Sequence, residues 1–177
     1  IYINYAYTLK NIEEDINQTN KGSFVTENDK WRFEMLGITR IFDGDKLYSI
    51  SPDDEEVTIS SQNPEDETTI TPNKMLYFYE EGYYFEMDKV EFVGNGQFRK
   101  KIQYVRLVPK DSDAEIKFIL LGIDTEFNQI YVVEETGKND TVTTISIVDF
   151  EFNLTLDPKL FIFQEDEFKD YYMNILD

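Results

Sequence analysis

One stretch of the sequence, Lys30-Trp31-Arg32-Phe33-Glu34-Met35, alternates charged and large apolar side chains without a break. Because the side chains of a β-strand point to opposite faces of the sheet in turn, Trp31, Phe33 and Met35 share one face. The charged residues occupy the other face. The stretch therefore predicts a strand with one dry face and one wet face, as in an antiparallel sheet that buries one side.

Turn signals on the C-terminal side of this strand predict an antiparallel meander. Asp43-Gly44-Asp45 separates residues 38–42 from residues 46–51. An Asp-Gly turn suits a tight hairpin because glycine accepts a positive φ. The break at Ser51-Pro52-Asp53-Asp54 precedes another alternating segment, which predicts a strand over residues 55–62.

The N-terminal side of the decisive strand is also β-rich. The β-branched and aromatic residues 1–8 predict a strand that begins at the first residue. Asn20-Lys21-Gly22 is interpreted as a break before a short strand at Ser23-Phe24-Val25-Thr26. The chain thus enters the meander through two further strands.

One helix is predicted between Thr71 and Gly82. Thr71 suits an N-cap, Pro72 the first helical position and Gly82 the stop. Its apolar stripe, which must lie against another element, consists of Met75, Leu76, Phe78 and Tyr79.

The rest of the chain returns to strand patterns separated by turn residues. Strands are predicted at 83–87, 89–93, 98–108, 115–123, 128–134, 141–153 and 160–163, and a short helix around 168–175. About ten strands with short spacings favour a curved antiparallel sheet or barrel over a parallel α/β fold.

Chain length and net charge limit the functions that are possible for this protein. A chain of 177 residues with 41% apolar residues fits one folded domain. Seventeen Lys and Arg against 36 Asp and Glu leave a net charge of −19, which repels a phosphate backbone. We therefore expect no nucleic-acid partner. The apolar stretches are too short to cross a bilayer, so we expect no stable membrane insertion, although a pocket for lipid tails is compatible with this charge.

The residue types exclude most enzyme chemistry. The sequence has no His and no Cys, so a Ser or Thr hydroxyl lacks its ordinary activating base. Carboxylates around Asp43, Asp45 and residues 53–56 suggest a glycosidase pair or a Ca²⁺ site, but their spacing matches no Ca²⁺ loop and turn acids are usually solvated. We predict no catalytic residue, no metal site and no cofactor.

Large apolar side chains instead line single faces of several predicted strands. Trp31, Phe33 and Met35 are followed by Val105 and Leu107 and by Ile145 and Ile147. An ordinary half-buried core and a ligand pocket produce the same pattern. Alternation alone leaves both interpretations open.

Taken in order, seven motifs resemble the outer-membrane lipoprotein carrier (LolA-like) family over nearly the whole chain. They are Gly22-Ser23-Phe24, Trp31-Arg32-Phe33, Ile41-Phe42-Asp43-Gly44-Asp45-Lys46-Leu47-Tyr48, Glu55-Glu56-Val57, Thr71-Pro72 before Met75-Leu76, Leu107-Val108-Pro109-Lys110 and Leu160-Phe161-Ile162-Phe163. The third resembles the family's Asp-Gly-Lys turn, and the last its closing Phe-x-Phe strand.

The resemblance implies a mainly β (α+β), LolA/LolB-like fold in which a strongly curved antiparallel sheet forms an unclosed β-barrel with a short covering helix. It implies a single carrier domain, residues 1–177, that ferries lipoproteins through the periplasm of a Gram-negative bacterium. The partners would be acylated lipoproteins, an inner-membrane release complex and an outer-membrane receptor. Acyl chains would bind Trp31, Phe33, Met35, Leu47, Val105, Leu107, Ile145 and Ile147, under a lid of Met75, Leu76 and Phe78.

Two departures from the family pattern limit this transfer. The Arg-Pro pair expected after the Gly22 strand is replaced by Asn28-Asp29, which leaves Arg32 as a speculative lid latch. The family's N-terminal amphipathic helix has no counterpart before Ile1, so we expect it to be trimmed together with a signal peptide, or missing. Two alternatives stay open: an outer-membrane lipoprotein receptor of the same fold, and a non-enzymatic surface recognition β-domain with a solid core.

Overall fold

The structure is a computed structural model, and it describes residues 1–61, 77–96 and 99–176. The chain forms two compact units. Unit 1 consists of Ile1–Asn4, Lys21–Tyr77 and Asp149–Asp177, and unit 2 of Tyr5–Asn20 and Phe78–Val148.

The described residues are mainly β, as predicted. The strands are β1 (Tyr2–Asn11), β2 (Ile16–Glu27), β3 (Lys30–Met35), β4 (Ile38–Phe42), β5 (Lys46–Ser51), β6 (Glu56–Ser61), β7 (Tyr83–Val93), β8 (Lys100–Pro109), β9 (Ile116–Asp124), β10 (Gln129–Gly137), β11 (Val142–Glu151) and β12 (Tyr172–Leu176). Two 3-10 helices lie at Pro158–Phe161 and Glu165–Phe168. Among the described residues we find no helix with the length and hydrophobicity that a membrane span requires.

The twelve strands have the order β12-β6-β5-β4-β3-β2-β1-β11-β10-β9-β8-β7. The meander predicted around the Asp-Gly turn is confirmed, because β3, β4, β5 and β6 pair antiparallel in sequence order. Asp43 closes this hairpin, since its Oδ1 accepts from the backbone N–H groups of Asp45 and Lys46 at 2.9 and 2.8 Å. β12 departs from the pattern and pairs parallel with β6.

Two predicted breaks within strands are wrong. β2 runs from Ile16 to Glu27 and includes Asn20-Lys21-Gly22. β7 is one strand from Tyr83 to Val93, and only its register with β8 shifts between Met87 and Val90. In β7, the neighbouring strand β8 supplies backbone partners on both sides of the register shift, so the two predicted strands join into one.

The C-terminal predictions are also wrong. Leu160-Phe161-Ile162-Phe163 is not a closing strand, because Pro158 starts a 3-10 helix there and the Asp157 side chain accepts from the Lys159 N–H at 3.0 Å. Residues 168–175 are not a helix. The Tyr172 N–H instead donates to the Glu55 carbonyl at 2.8 Å, and the chain continues as β12 beside β6.

The predicted covering helix falls largely outside the described residues, and so do its lid residues Met75 and Leu76. The description resumes at Tyr77, which is helical, but Phe78–Gly82 form a turn and a bend rather than the last helical turn. Gly82, which has φ +83, brings the chain into β7. The C-terminal part of the helix prediction is therefore wrong.

Candidate functional site

Unit 1 gathers the predicted apolar residues of β3 and β5 on one face. Trp31 pairs with Phe42 of β4, which pairs with Leu47 of β5, so the three side chains form a row across three strands. The rings of Trp31 and Phe42 lie 6.1 Å apart. Phe33 and Met35 follow Trp31 at period two and share its face.

This face is deeply buried at its centre. Trp31 is 2% exposed and Phe33 6%, whereas Met35 and Leu47 are half-buried. Phe24, which pairs with Phe33 across β2 and β3, is also buried, and sequence reasoning missed both Phe24 and Phe42. Each belongs to a segment that was predicted as a strand, but Phe24 adjoins Val25 and Phe42 adjoins Ile41, so alternation did not indicate which face they occupy.

Arg32 lies on the opposite face from Trp31. Its guanidinium is held by the Glu34 carboxylate, with Nε–Oε1 at 2.9 Å and Nη2–Oε1 at 2.8 Å. Period two places Arg32 on the face away from the row of Trp31, Phe42 and Leu47. This arrangement speaks against Arg32 as a latch for a cover over the Trp31 row.

Unit 2 places Val105 and Ile145 in one apolar row that crosses five strands. Register makes Met87, Val105, Leu121, Val133 and Ile145 successive neighbours on β7, β8, β9, β10 and β11. Leu107 and Ile147 share this face because each lies two residues from a member of the row. The second predicted group thus lies together, and the contributions of β9 and β10 had not been identified.

An apolar cavity of about 270 Å³ opens along this row. Binding pockets for small molecules usually measure about 300–1,000 Å³, so this volume admits part of a slender apolar chain. The predicted residues Val105 and Leu107 both line it. The remaining lining residues are Tyr79, Phe85, Leu121, Ile123, Asn128, Gln129 and Ile130.

The turn before β7 covers part of the same face. Phe78 and Tyr79 pack on the cluster of Leu107, Ile119 and Leu121, and the two rings meet edge to face at 5.6 Å. Phe78, the described member of the predicted lid, therefore contacts the cluster that contains a predicted pocket residue. Its place in a turn shows that contact with this face does not require a helix.

A carboxylate lies on this apolar face. Glu135 pairs with Ile119 of β9, which pairs with Leu107 of β8. Burial raises the pKa of the Glu135 carboxyl, because desolvation disfavours the charged form. Burial also raises the pKa of the Tyr83 phenol, and Glu135 raises it further. Within the described residues the Glu135 side chain has no hydrogen bond or ion pair.

The opposite face of unit 2 is covered by long charged side chains. Arg106 lies over the Phe118 ring at 4.1 Å, and Lys89 over the Tyr104 ring at 4.8 Å. Burial, with the Glu91 carboxylate beside it, raises the pKa of Tyr104 to about 12. Such stems cover apolar surface while their charges stay in water, so this face needs no further layer.

The turn acids do not converge. No group of three or more metal-ligating side chains occurs in the described part of the chain. Asp43 instead stabilises its own turn, and its backbone hydrogen bonds and the Tyr48 hydroxyl outweigh partial burial and hold the pKa of its carboxyl below the ordinary value. The geometry of these acids is that of turn residues.

The fold recurs in a solved structure of low sequence identity. An uncharacterized conserved protein from Thermus thermophilus is 10% identical, with a TM-score of 0.57 over 98% of this chain and 91% of that one. A LolA superfamily protein from Nitrosomonas europaea is 11% identical, with a TM-score of 0.40 over 91% and 89%. Among curated proteins, none matches this sequence.

The sequence itself matches a protein family over most of its length. Residues 10–164 match the family described as "Outer membrane lipoprotein carrier protein LolA". That range begins within β1 and ends beyond β11, so it includes both apolar faces described above. The resemblance found in the sequence motifs is confirmed: this chain belongs to the LolA family of outer membrane lipoprotein carrier proteins.

Proposed function

We propose that this protein is a non-catalytic periplasmic carrier that binds the acyl chains of lipoproteins and ferries them toward the outer membrane. The observation that carries the proposal is the 270 Å³ apolar cavity lined by Val105 and Leu107 and partly covered by Tyr79. Membership of the carrier family supports the same function. The inner-membrane release complex and the outer-membrane receptor are proposed as partners on family grounds alone.

The energetics suit a reversible carrier. Each methylene removed from water contributes about 0.8 kcal/mol, so about six methylenes in the cavity would contribute about 5 kcal/mol. That free energy retains an acyl segment and still permits its release to a second binding site. Non-directional contacts of this kind also require no catalytic group.

The residues proposed to contact acyl chains in unit 2 are Val105, Leu107, Ile145 and Ile147. The Trp31 face of unit 1 stays a prediction as an acyl-chain surface, since Trp31 and Phe33 are buried. Met35, which is half-buried, offers a test there because Met35→Lys should weaken lipid binding without removing a core ring. A variant that binds normally would leave unit 2 as the binding region.

Native mass spectrometry of the protein purified without detergent, after addition of a triacylated lipopeptide, tests the proposal. Val105→Trp places an indole in the cavity and should reduce the bound fraction at least tenfold, equivalent to about 1.4 kcal/mol. Val148→Trp is the matched control, because Val148 lies on β11 with 64% of its surface exposed.

Both variants must retain the unfolding midpoint of the original chain within a few tenths molar urea for the comparison to count. Equal lipopeptide binding by the two Trp variants would show that the cavity is not part of the binding site. No binding by the original chain would favour the solid-core recognition domain. A lipid anchor attached to the chain itself would instead favour the receptor of the same fold.

A further inference from the structure

β7 is an edge strand in the described part of the sheet. It lies at one end of the strand order and pairs with β8 alone. Its eleven residues, Tyr83–Val93, form a long strand for a sheet edge. Natural sheets usually shorten, charge or cover such edges, because an open row of N–H and C=O groups pairs readily with another strand.

The hydrogen-bond pattern identifies the backbone groups at this free edge. The Lys110 N–H donates to the Gly82 carbonyl at 2.9 Å, and the antiparallel alternation then directs Tyr84 and Glu86 toward β8. The N–H and C=O groups of Phe85 and Met87 point away from β8. Pro109 fits this alternation. It lies opposite Tyr83, at a pair where β7 and β8 exchange no hydrogen bonds, so its missing N–H costs the ladder nothing.

The side chains along this edge are apolar on one face. Phe85 is 55% exposed and Met87 73%, and both lie on the face of the Val105 row. Beyond the register shift, Val90 and Phe92 pair with Gln103 and Lys101, which lie on the same face of β8. An exposed apolar stripe on an edge strand with open backbone groups marks an interaction site.

The other face of β7 carries three acids, and two of them are paired: Asp88 with Arg106, and Glu91 with Lys89 at 2.7 Å. Glu86 is exposed, and its neighbour Arg106 is engaged by the Asp88 carboxylate at 3.1 Å. In the described residues Glu86 makes no ion pair. A second copy paired antiparallel on β7 would bring these acids together, which like-charge repulsion and a net charge of −19 both disfavour. A strand that alternates apolar and basic side chains fits both faces.

We propose that the free edge of β7 binds, by antiparallel strand addition, an extended segment of a partner protein in which apolar residues alternate with Lys or Arg. Apolar side chains of the segment continue the row beyond Phe85 and Met87, and a basic side chain lies opposite Glu86. The backbone groups of Phe85 and Met87 supply the hydrogen bonds. Phe85 also lines the apolar cavity, but the backbone hydrogen bonds of this interaction require no bound lipid.

Hydrogen exchange of the full chain, measured by NMR, tests the proposal with a blocked nine-residue peptide that alternates lysine and valine. We expect the peptide to slow exchange of the Phe85 and Met87 amides by at least about tenfold. Two control peptides, one with glutamate in place of lysine and one with the lysines and valines in separate blocks, should not protect these amides. Protection by either control would overturn the proposal.

A proline variant isolates the backbone contribution. Met87→Pro removes an N–H that points away from β8, so the ladder within the sheet is retained while the donor to the partner is lost. Met87→Thr keeps that N–H and is the matched control. We expect peptide affinity to fall at least tenfold in Met87→Pro relative to Met87→Thr.

Equal affinity of the two variants would show adsorption rather than strand addition. A purified protein that is dimeric at micromolar concentration, with the Phe85 amide already protected, would assign the edge to a second copy instead. Neither result would affect the lipopeptide assay on Val105→Trp, so the carrier function is tested separately.

Discussion

Two apolar faces that are built from the same kind of strand are covered to different extents. In unit 1, the cluster of Ile41, Ile50 and Val57 lies on the face opposite the Trp31 row and is covered by the aromatic C-terminal segment. In unit 2, the cluster of Leu107, Ile119 and Leu121 is covered by Phe78 and Tyr79, and the cavity remains beside them. Strand alternation makes a dry face, and the covering segment determines whether that face becomes a packed core or a hollow.

The cover in unit 1 is an aromatic stack. The Tyr48 and Phe163 rings are stacked at 4.7 Å, and Phe163 and Phe168 at 5.4 Å. Tyr171 meets Phe168 edge to face at 5.2 Å. Such pairs add to the stabilisation from area burial and leave little free volume. Unit 2 lacks a matching stack over its described apolar face, which is why the cavity remains there.

The largest effect is expected from truncating one isoleucine in each region. Ile50→Ala opens a cavity in the packed cluster and should lower the free energy of unfolding by about 3 kcal/mol. Ile123→Ala removes side-chain volume that already borders a cavity and should cost about 1 kcal/mol. Urea denaturation of both variants measures the difference. Equal losses would show that the two faces are packed alike.

A smaller effect is expected from adding volume. A methyl group on Gly122 would lie 2.6 Å from Val132 Cγ1, on the filled face of β9, so Gly122→Ala should cost about 2 kcal/mol through overpacking. Val105→Ile adds one methylene on the cavity side and should change stability by less than about 0.5 kcal/mol. Thermal unfolding of both variants tests the contrast, which a large loss in Val105→Ile would contradict.

The smallest effect is expected from the Glu135 carboxylate. Its folded-state pKa is raised, so the folded state binds more protons than the unfolded state and stability falls as pH rises through that pKa. Glu135→Gln should reduce this loss and make the protein slightly more stable at neutral pH. Urea midpoints measured between pH 4 and pH 8 test the slope.

Glu134→Gln removes one charge from the opposite face of β10 and serves as the matched control. A gain in both variants would assign the effect to net charge rather than to the apolar surroundings of Glu135.

Local sequence patterns were sufficient for the strands that carry the site. Alternation in residues 30–35 and the Asp-Gly turn predicted β3, β4 and β5 with nearly their observed bounds. The same rule placed Val105 and Leu107 on one face of β8. These elements are determined by side-chain period and turn geometry, which are encoded within a few residues.

The C-terminal segment could not be predicted in this way. Its structure depends on distant partners, such as the hydrogen bond at 3.0 Å from Asn174 Nδ2 to Glu56 Oε1 across 118 residues. A local pattern with aromatic and acidic residues favours a helix in that segment, yet the open edge of β6 offers a complete row of backbone partners. The cavity could not be predicted from local sequence either, because it depends on which distant segments cover the apolar face and which part of that face they leave open.

The parallel pairing of β12 with β6 has a consequence for how the protein folds. Unit 1 cannot close until Asp149–Asp177 has emerged, because β12 and most of the aromatic stack follow the strands of unit 2 in the sequence. Contacts of such high sequence separation slow folding, and they leave the Ile41 cluster uncovered until they form. A nascent or truncated chain therefore exposes an apolar, aggregation-prone surface that is buried in the folded protein. A chaperone that binds unfolded chains would protect this protein while that surface is uncovered.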